Sequence, residues 1–289
     1  MRYSTVRSGR ALSALVMTVL AGAALSACGT GSSSAASATP PSAKASSSQP
    51  AGIAPGEPSP GGGSPSKASK GSLAGKVIVV DPGHNGGNAK HPEIINKQVD
   101  IYNGHKACNT TGTSTDDNYS EHEFTWDVAN RLAKILKAKG AKVVMTRSSD
   151  TGVGPCVDER ARIGNRAHAD AVLAIHGDGA PAKGHGFHII EPALIKGHNG
   201  AIIAPSKRLG GDMRDAFHQG TGIPYSTYLG KDGIDVRSDL GGLNVSTRPA
   251  VFIECGNMRN PGDAAKMKSP QGRQQMAEAL ANGFVKFLG

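Results

Sequence analysis

From residue 76 onward the chain alternates two kinds of hydrophobic pattern, and that alternation limits the folds open to it. Lys76–Val80 is a continuous run of β-branched residues, as expected of a strand buried on both faces. Glu121–Lys139 places Phe124, Val128, Leu132, Ile135 and Leu136 along one helical face, and Gly140 closes that helix. Lys142–Thr146 reads as a strand, Glu159–Ala167 as a short helix, Ala171–Ile175 as a strand and Phe187–Glu191 as an alternating strand. Ser206–His218 carries Leu209, Met213 and Phe217 at helical spacing, ending near Gly220. Ala250–Ile253 is again a strand, and Gln271–Leu288 is a C-terminal helix through Met276, Leu280, Phe284 and Leu288. Strands alternating with helices predict an α/β fold: one domain, a mostly parallel twisted sheet flanked by helices. Asn85–Tyr119 and Ser148–Val157 fit neither period and are expected as long loops at the active edge.

The first 75 of the 289 residues follow other rules. Arg2, Arg7 and Arg10 precede an apolar stretch from Ala11 to Leu25, the layout of a secretory signal. Leu25-Ser26-Ala27-Cys28, followed by Gly29, resembles the lipobox of bacterial lipoproteins. That resemblance implies cleavage before Cys28, lipidation of its thiol, and anchoring to the outer face of the cytoplasmic membrane. Residues 29–75 are mostly Ser, Ala, Gly and Pro. They bury too little apolar surface to offset chain entropy, so a disordered tether is expected, with a reach of roughly 35–40 Å. The organisation predicted is therefore a signal with lipobox over 1–28, a tether over 29–75 and a folded domain over 76–289. Outside the N-terminus no apolar run reaches the length of a membrane span. Six of the 32 Lys and Arg but one of the 23 acids lie in residues 1–75, so the +9 net charge belongs largely to the tail. The remainder is only mildly basic, which argues against a nucleic-acid partner.

Polar groups interrupt three apolar strands at their ends: VIVVDPG leads to His84, AVLAI to His176, and AVFI to Glu254. In an open α/β sheet ligands bind beyond the carboxyl ends of parallel strands, so these three converge on one edge. A fourth group comes from Ser120-Glu121-His122-Glu123, which opens the long helix. Ser120 and Glu123 form a capping box, which leaves the Glu121 carboxylate free. Two imidazoles and two carboxylates are the inventory of a catalytic zinc site with a general base. Taken singly, each has a plainer reading as a surface His or a helix-dipole Glu; the convergence of three strand ends is what favours chemistry.

These residues carry a family resemblance. Asp81-Pro82-Gly83-His84-Asn85-Gly86-Gly87 resembles the opening motif of the zinc-dependent N-acetylmuramoyl-L-alanine amidases of the amidase 3 type, which cleave peptidoglycan. The likeness continues through Val144–Arg147, Glu159–Asn165, Ala169–His176 and Pro249–Met258 to Asn260, in the family's order. It implies one zinc ion held by His84, Glu121 and His176, with Glu254 as catalytic acid/base. It also implies peptidoglycan or muramyl peptides as substrate, cut at the amide joining the lactyl group of N-acetylmuramic acid to L-alanine. Two segments depart from the family pattern, Ala174-Ile175-His176-Gly177-Asp178 and Glu254-Cys255-Gly256-Asn257, and neither changes a ligand or the base. Arg147, Arg160 and Asn165 are candidates for substrate contact or for support of the site.

Four cysteines remain to be placed. Cys28 is the lipidation site; Cys108 and Cys156 lie in the two irregular stretches and are expected to pair in an oxidising compartment. Cys255, after a buried strand, reads as a buried thiol. A monomer is expected. Two other readings stay open: another zinc hydrolase of wall material, such as a peptidase or deacetylase, and a non-catalytic wall-binding lipoprotein. The latter should have lost a ligand or the base, and this chain has lost neither.

Overall fold

The computed structural model describes residues 71–289; the lipobox Cys28 and residues 1–70 lie outside the described residues. The elements in chain order are β1 (Val77–Pro82), α1 (Pro92–Ile95), β2 (Gln98–Asp100), β3 (His105–Ala107), α2 (Glu121–Ala138), β4 (Lys142–Met145), α3 (Val157–Arg166) and β5 (Ala171–Asp178). They continue with β6 (His188–Pro192), α4 (Gly200–Thr221), β7 (Ile234–Arg237), α5 (Gly241–Asn244), β8 (Ala250–Asn257), α6 (Pro261–Lys268) and α7 (Pro270–Leu288).

Six strands form one sheet in the order β4-β1-β5-β8-β6-β7, and β2 and β3 make a separate antiparallel hairpin. Strands β4, β1, β5 and β8 run parallel; β6 pairs antiparallel with β8, and β7 parallel with β6. The reversal has a simple cause. Residues 179–187, between β5 and β6, contain no helix and are too short for a crossover, so β6 returns in the opposite direction.

The continuous apolar runs are explained by burial on both faces. On one face Ile78, Val80, Leu173, Ile175, Ile189, Val251 and Ile253 pack against Phe124, Leu132 and Leu136 of α2, Leu209 and Phe217 of α4, and Leu280 and Phe284 of α7. Each such fully buried side chain contributes about 1.5–3 kcal/mol. On the other face Val79, Val172, Ile190 and Ala250 form a smaller cluster with Ala169 and Leu243. Leu73 is fully buried in the larger core, and its N–H bonds the Lys139 carbonyl, so packing begins before the expected end of the tether at Gly75.

Helix α4 starts six residues earlier than its apolar spacing indicated. Its opening turns hold Pro205 and few large apolar residues, and it ends at Gly222, whose φ of 63° is left-handed. The stretch Asn85–Tyr119, read as irregular, contains α1 and the β2–β3 hairpin. No described helix is long and apolar enough to cross a membrane.

Candidate active site

The carboxyl edge of the parallel strands gathers the four residues singled out by sequence. Strands β5 and β8 extend past their apolar runs, so His176 and Glu254 sit within them as register partners. A bulge follows, with two steps on β5 matched by three on β8. Bulges of this kind re-aim side chains beside active sites.

His84 lies just beyond β1 with φ at 59°, a left-handed conformation that a non-glycine residue adopts only when its surroundings impose it. Two buried arginines impose it here. Arg160 donates to the carbonyls of Pro82 (2.8 Å), His84 (2.9 Å) and Pro155 (3.0 Å), and pairs with the buried Asp81 at 2.6 Å. Arg147 donates to the carbonyls of Pro82 and His122, both at 3.0 Å, pairs with Asp150, and lies over the Trp126 ring. Thr125 donates its hydroxyl to the Gly83 carbonyl at 2.8 Å. Burial alone would raise the Asp81 carboxyl; Arg160 and the Thr146 hydroxyl outweigh it and hold it below its ordinary value. Asn165 instead ties α3 to the stretch before β8, through the Val245 carbonyl and the Thr247 N–H. All three candidates for substrate contact or support thus find partners inside the protein, and of them Arg160 alone lines the cleft.

Glu121 is the first residue of α2, and Glu123 folds back onto Ser120, accepting from its hydroxyl at 2.6 Å and its N–H at 3.3 Å. The Glu121 carboxylate is fixed at both oxygens: Oε1 accepts from the Gly177 N–H at 3.1 Å and Oε2 from the Thr113 N–H at 2.9 Å. His84 presents Nε2 to Oε1 at 3.1 Å, and His176 presents Nδ1 to the same oxygen at 2.9 Å. Candidate ligand atoms of all three residues lie within 4.8 Å of one another. Burial would raise the Glu121 carboxyl, but the two imidazoles hold it well below its usual range. The opposite ring nitrogen of His84 faces the Thr110 carbonyl at 3.1 Å, which fixes the tautomer that leaves Nε2 free to bind a cation. The crowding around these groups points the same way. A Cβ at Gly112, whose φ is 81°, would come within 2.8 Å of Glu121 Oε2, and one at Gly83 within 2.6 Å of His176 Nδ1. Two imidazoles and one carboxylate, held this closely, suit a divalent ion of borderline softness.

Glu254 faces this set from β8, half-buried, with its Oε2 shielded from solvent. Burial pushes its carboxyl well above the ordinary carboxylate range, reinforced by Glu121 and Asp178 and opposed by Arg237. A cleft of about 410 Å³ opens over the four residues, lined also by Thr110, Gly112, Lys106, Arg237 and Phe252. Lys106 and Arg237 share Asp239 at 2.9 and 2.8 Å. Sequence reading missed this cationic wall and the glycines that admit the ligand side chains; the left-handed Gly112 inside a threonine run was its one local signal. The disulfide Cys108–Cys156 joins the segment after β3 to the start of α3, beside the cleft, and Cys255 is a buried free thiol.

An open α/β sheet with a converged His–Glu–His set and a facing carboxylate has the equipment of a hydrolase: a group able to hold a divalent ion and a carboxylate able to act as base. The particular family follows from likeness to known proteins. The family model for N-acetylmuramoyl-L-alanine amidase matches residues 78–286, and the chain belongs to that family. The N-acetylmuramoyl-L-alanine amidase Rv3717 of Mycobacterium tuberculosis is 42% identical over 226 residues, 77% of this chain and 90% of that protein. The crystal structure of the amidase Ami1 from Mycobacterium smegmatis matches at a TM-score of 0.71 and 44% identity, covering 75% of this chain and 98% of that one. The apo form of Ami1 from Mycobacterium abscessus matches at 0.70 and 43%, covering 75% and 100%.

Proposed function

We propose that this chain is a zinc-dependent N-acetylmuramoyl-L-alanine amidase acting outside the cytoplasm on peptidoglycan or muramyl peptides. His84, Glu121 and His176 hold one zinc ion. The observation that carries the reading is their convergence within 4.8 Å, with a second carboxylate facing them across the cleft. Three protein ligands of this kind are the set of a catalytic rather than a structural site. Bound by these three residues, zinc would supply the Lewis acidity that brings water ionisation toward neutral pH. The chain's own residues do the rest. Glu254 takes the proton from the attacking water. It then delivers that proton to the departing L-alanine amine. Thr110, Arg160 and Arg147 keep His84 in its left-handed position.

The domain acts as a monomer. The lipid on Cys28 anchors it to the outer face of the cytoplasmic membrane, and the tether lets it reach the wall. Glu254→Gln tests the assignment: hydrolysis of a muramyl peptide is expected to fall by about 10²–10⁴-fold with zinc content unchanged. Retained turnover would remove Glu254 from the role of base.

A further inference from the structure

Strand β6 opens with a histidine that packing alone does not explain. His188 is 0% exposed, and neither ring nitrogen has a partner. Among the described residues six buried side-chain polar atoms are unpaired, and four of them belong to His188, Tyr228 and Glu254. These three residues are neighbours. His188 is the antiparallel register partner of Glu254, and Glu254 is in turn the register partner of His176. Register partners project from the same face with Cβ atoms about 4.5–5.5 Å apart, so His176, Glu254 and His188 form a row across β5, β8 and β6. The Tyr228 ring meets His188 edge-on, with centroids 5.9 Å apart at 88°.

The atoms left unpaired match one another chemically. Burial keeps the His188 imidazole below its ordinary pKa, against Asp178 at the end of β5 and Asp235 on β7, with Arg237 on β7 adding to burial. A neutral ring has one N–H and one lone pair. Glu254 Oε2 has no hydrogen-bond partner, and Arg237, whose charge acts on Glu254, gives its Nε and Nη2 to Asp239. Leaving such groups unpaired destabilises the fold, a cost that an apolar residue at 188 would avoid.

The geometry points to His188 as a positioning residue for Glu254, a step that rests on the proposed role of Glu254 as base. Its N–H donates to Oε2, the inner oxygen of Glu254. The outer oxygen of Glu254 is thereby turned toward the cleft, where the water is deprotonated. The contact is open in the free protein and closes as the substrate settles, as catalytic hydrogen bonds commonly do.

The test compares full-length wild type, Glu254→Gln, His188→Phe, His188→Asn and His188→Gln on a soluble muramyl peptide, with zinc content and thermal melting measured for each. His188→Phe is expected to lower kcat by about tenfold or more while KM stays within about twofold and zinc is retained. The amide of Asn stands near the place of ring Nδ1 and that of Gln near Nε2, so one of the two is expected to restore most of the loss. A smaller fall in kcat, a KM that rises in step, or rescue by neither amide overturns the inference. If His188→Phe does not fold, the two amide variants carry the test: both at wild-type kcat, or both equally impaired, overturn it. Turnover retained in Glu254→Gln would overturn the parent assignment instead, whatever the His188 variants do.

Discussion

Adding one methyl group at Gly83 separates a steric account of the metal site from a purely electrostatic one. The backbone of Gly83 is not left-handed, so alanine brings no conformational strain of its own. Its Cβ, however, would lie 2.6 Å from Nδ1 and 2.7 Å from Nε2 of His176. Carbon contacts are comfortable at about 3.5–4.0 Å, so the ring must retreat by roughly 1 Å. It is confined on the far side, stacked on Phe252 with centroids 5.1 Å apart, while Nδ1 is 2.9 Å from Glu121. A displacement of that size at a catalytic group costs about 100-fold in rate, and disturbing the support of a metal ligand costs about 10–100-fold in affinity. Gly83→Ala is therefore expected to weaken zinc binding by about 10–100-fold and to lower kcat/KM by about 100-fold, while overpacking destabilises the fold by about 1–3 kcal/mol. Gly152→Ala is the control, because a Cβ there meets nothing within 4 Å. Zinc affinity is read by competition with a chelating dye and stability by urea unfolding. Wild-type zinc affinity and kcat/KM in Gly83→Ala would refute the reasoning.

Other perturbations act on helix α4 and on the disulfide. Gly211 is inside α4 with open space around it, so Gly211→Ala is expected to stabilise by about 0.5–1 kcal/mol, a rise of roughly 1–4 °C in Tm. Glu191 is buried against α4, and burial raises its carboxyl above the ordinary value against the pull of Lys207 and Arg214. The folded state thus binds its proton more tightly than the unfolded one, so the Glu191 contribution is favourable at low pH and is lost as pH rises toward the folded pKa. Glu191→Gln should raise Tm at neutral pH and flatten the fall of Tm as pH rises above the ordinary carboxylate range. The disulfide closes a loop spanning 48 residues, which chain entropy values at about 4 kcal/mol. Cys108→Ser with Cys156→Ser should lose a comparable amount in urea unfolding.

The core of the site was legible because apolar strands stop at polar residues for a reason. His84, His176 and Glu254 each interrupt a run that packing alone would continue, and the capping box freed Glu121 by occupying Glu123. Strand β7 escaped notice because four residues on a sheet edge, Ile234–Arg237, carry almost no periodic signal. The β2–β3 hairpin is built from Gln98, Val99 and Asp100 against His105, Lys106 and Ala107, which hold too little apolar surface to announce a strand. Helix α6 buries only Asp263, Ala264 and Met267, so its clearest mark was the Asn260-Pro261 start, where Asn260 caps the N–H groups of Gly262 and Asp263. The reversal of β6 depends on where a short connection can return, a property of the folded sheet. The pairing of His188 with Glu254 follows from that reversal, and so from no local pattern.

The central claim is that this site cuts one particular bond. Full-length chain, loaded with zinc, is incubated with peptidoglycan and with muramyl peptides, with and without a chelator, and the products are identified by mass spectrometry. Intact stem peptides bearing a free L-alanine amine are expected, absent when zinc is removed. Zinc-dependent products cut within the stem peptide, or sugars deacetylated with the stem still attached, would contradict the claim.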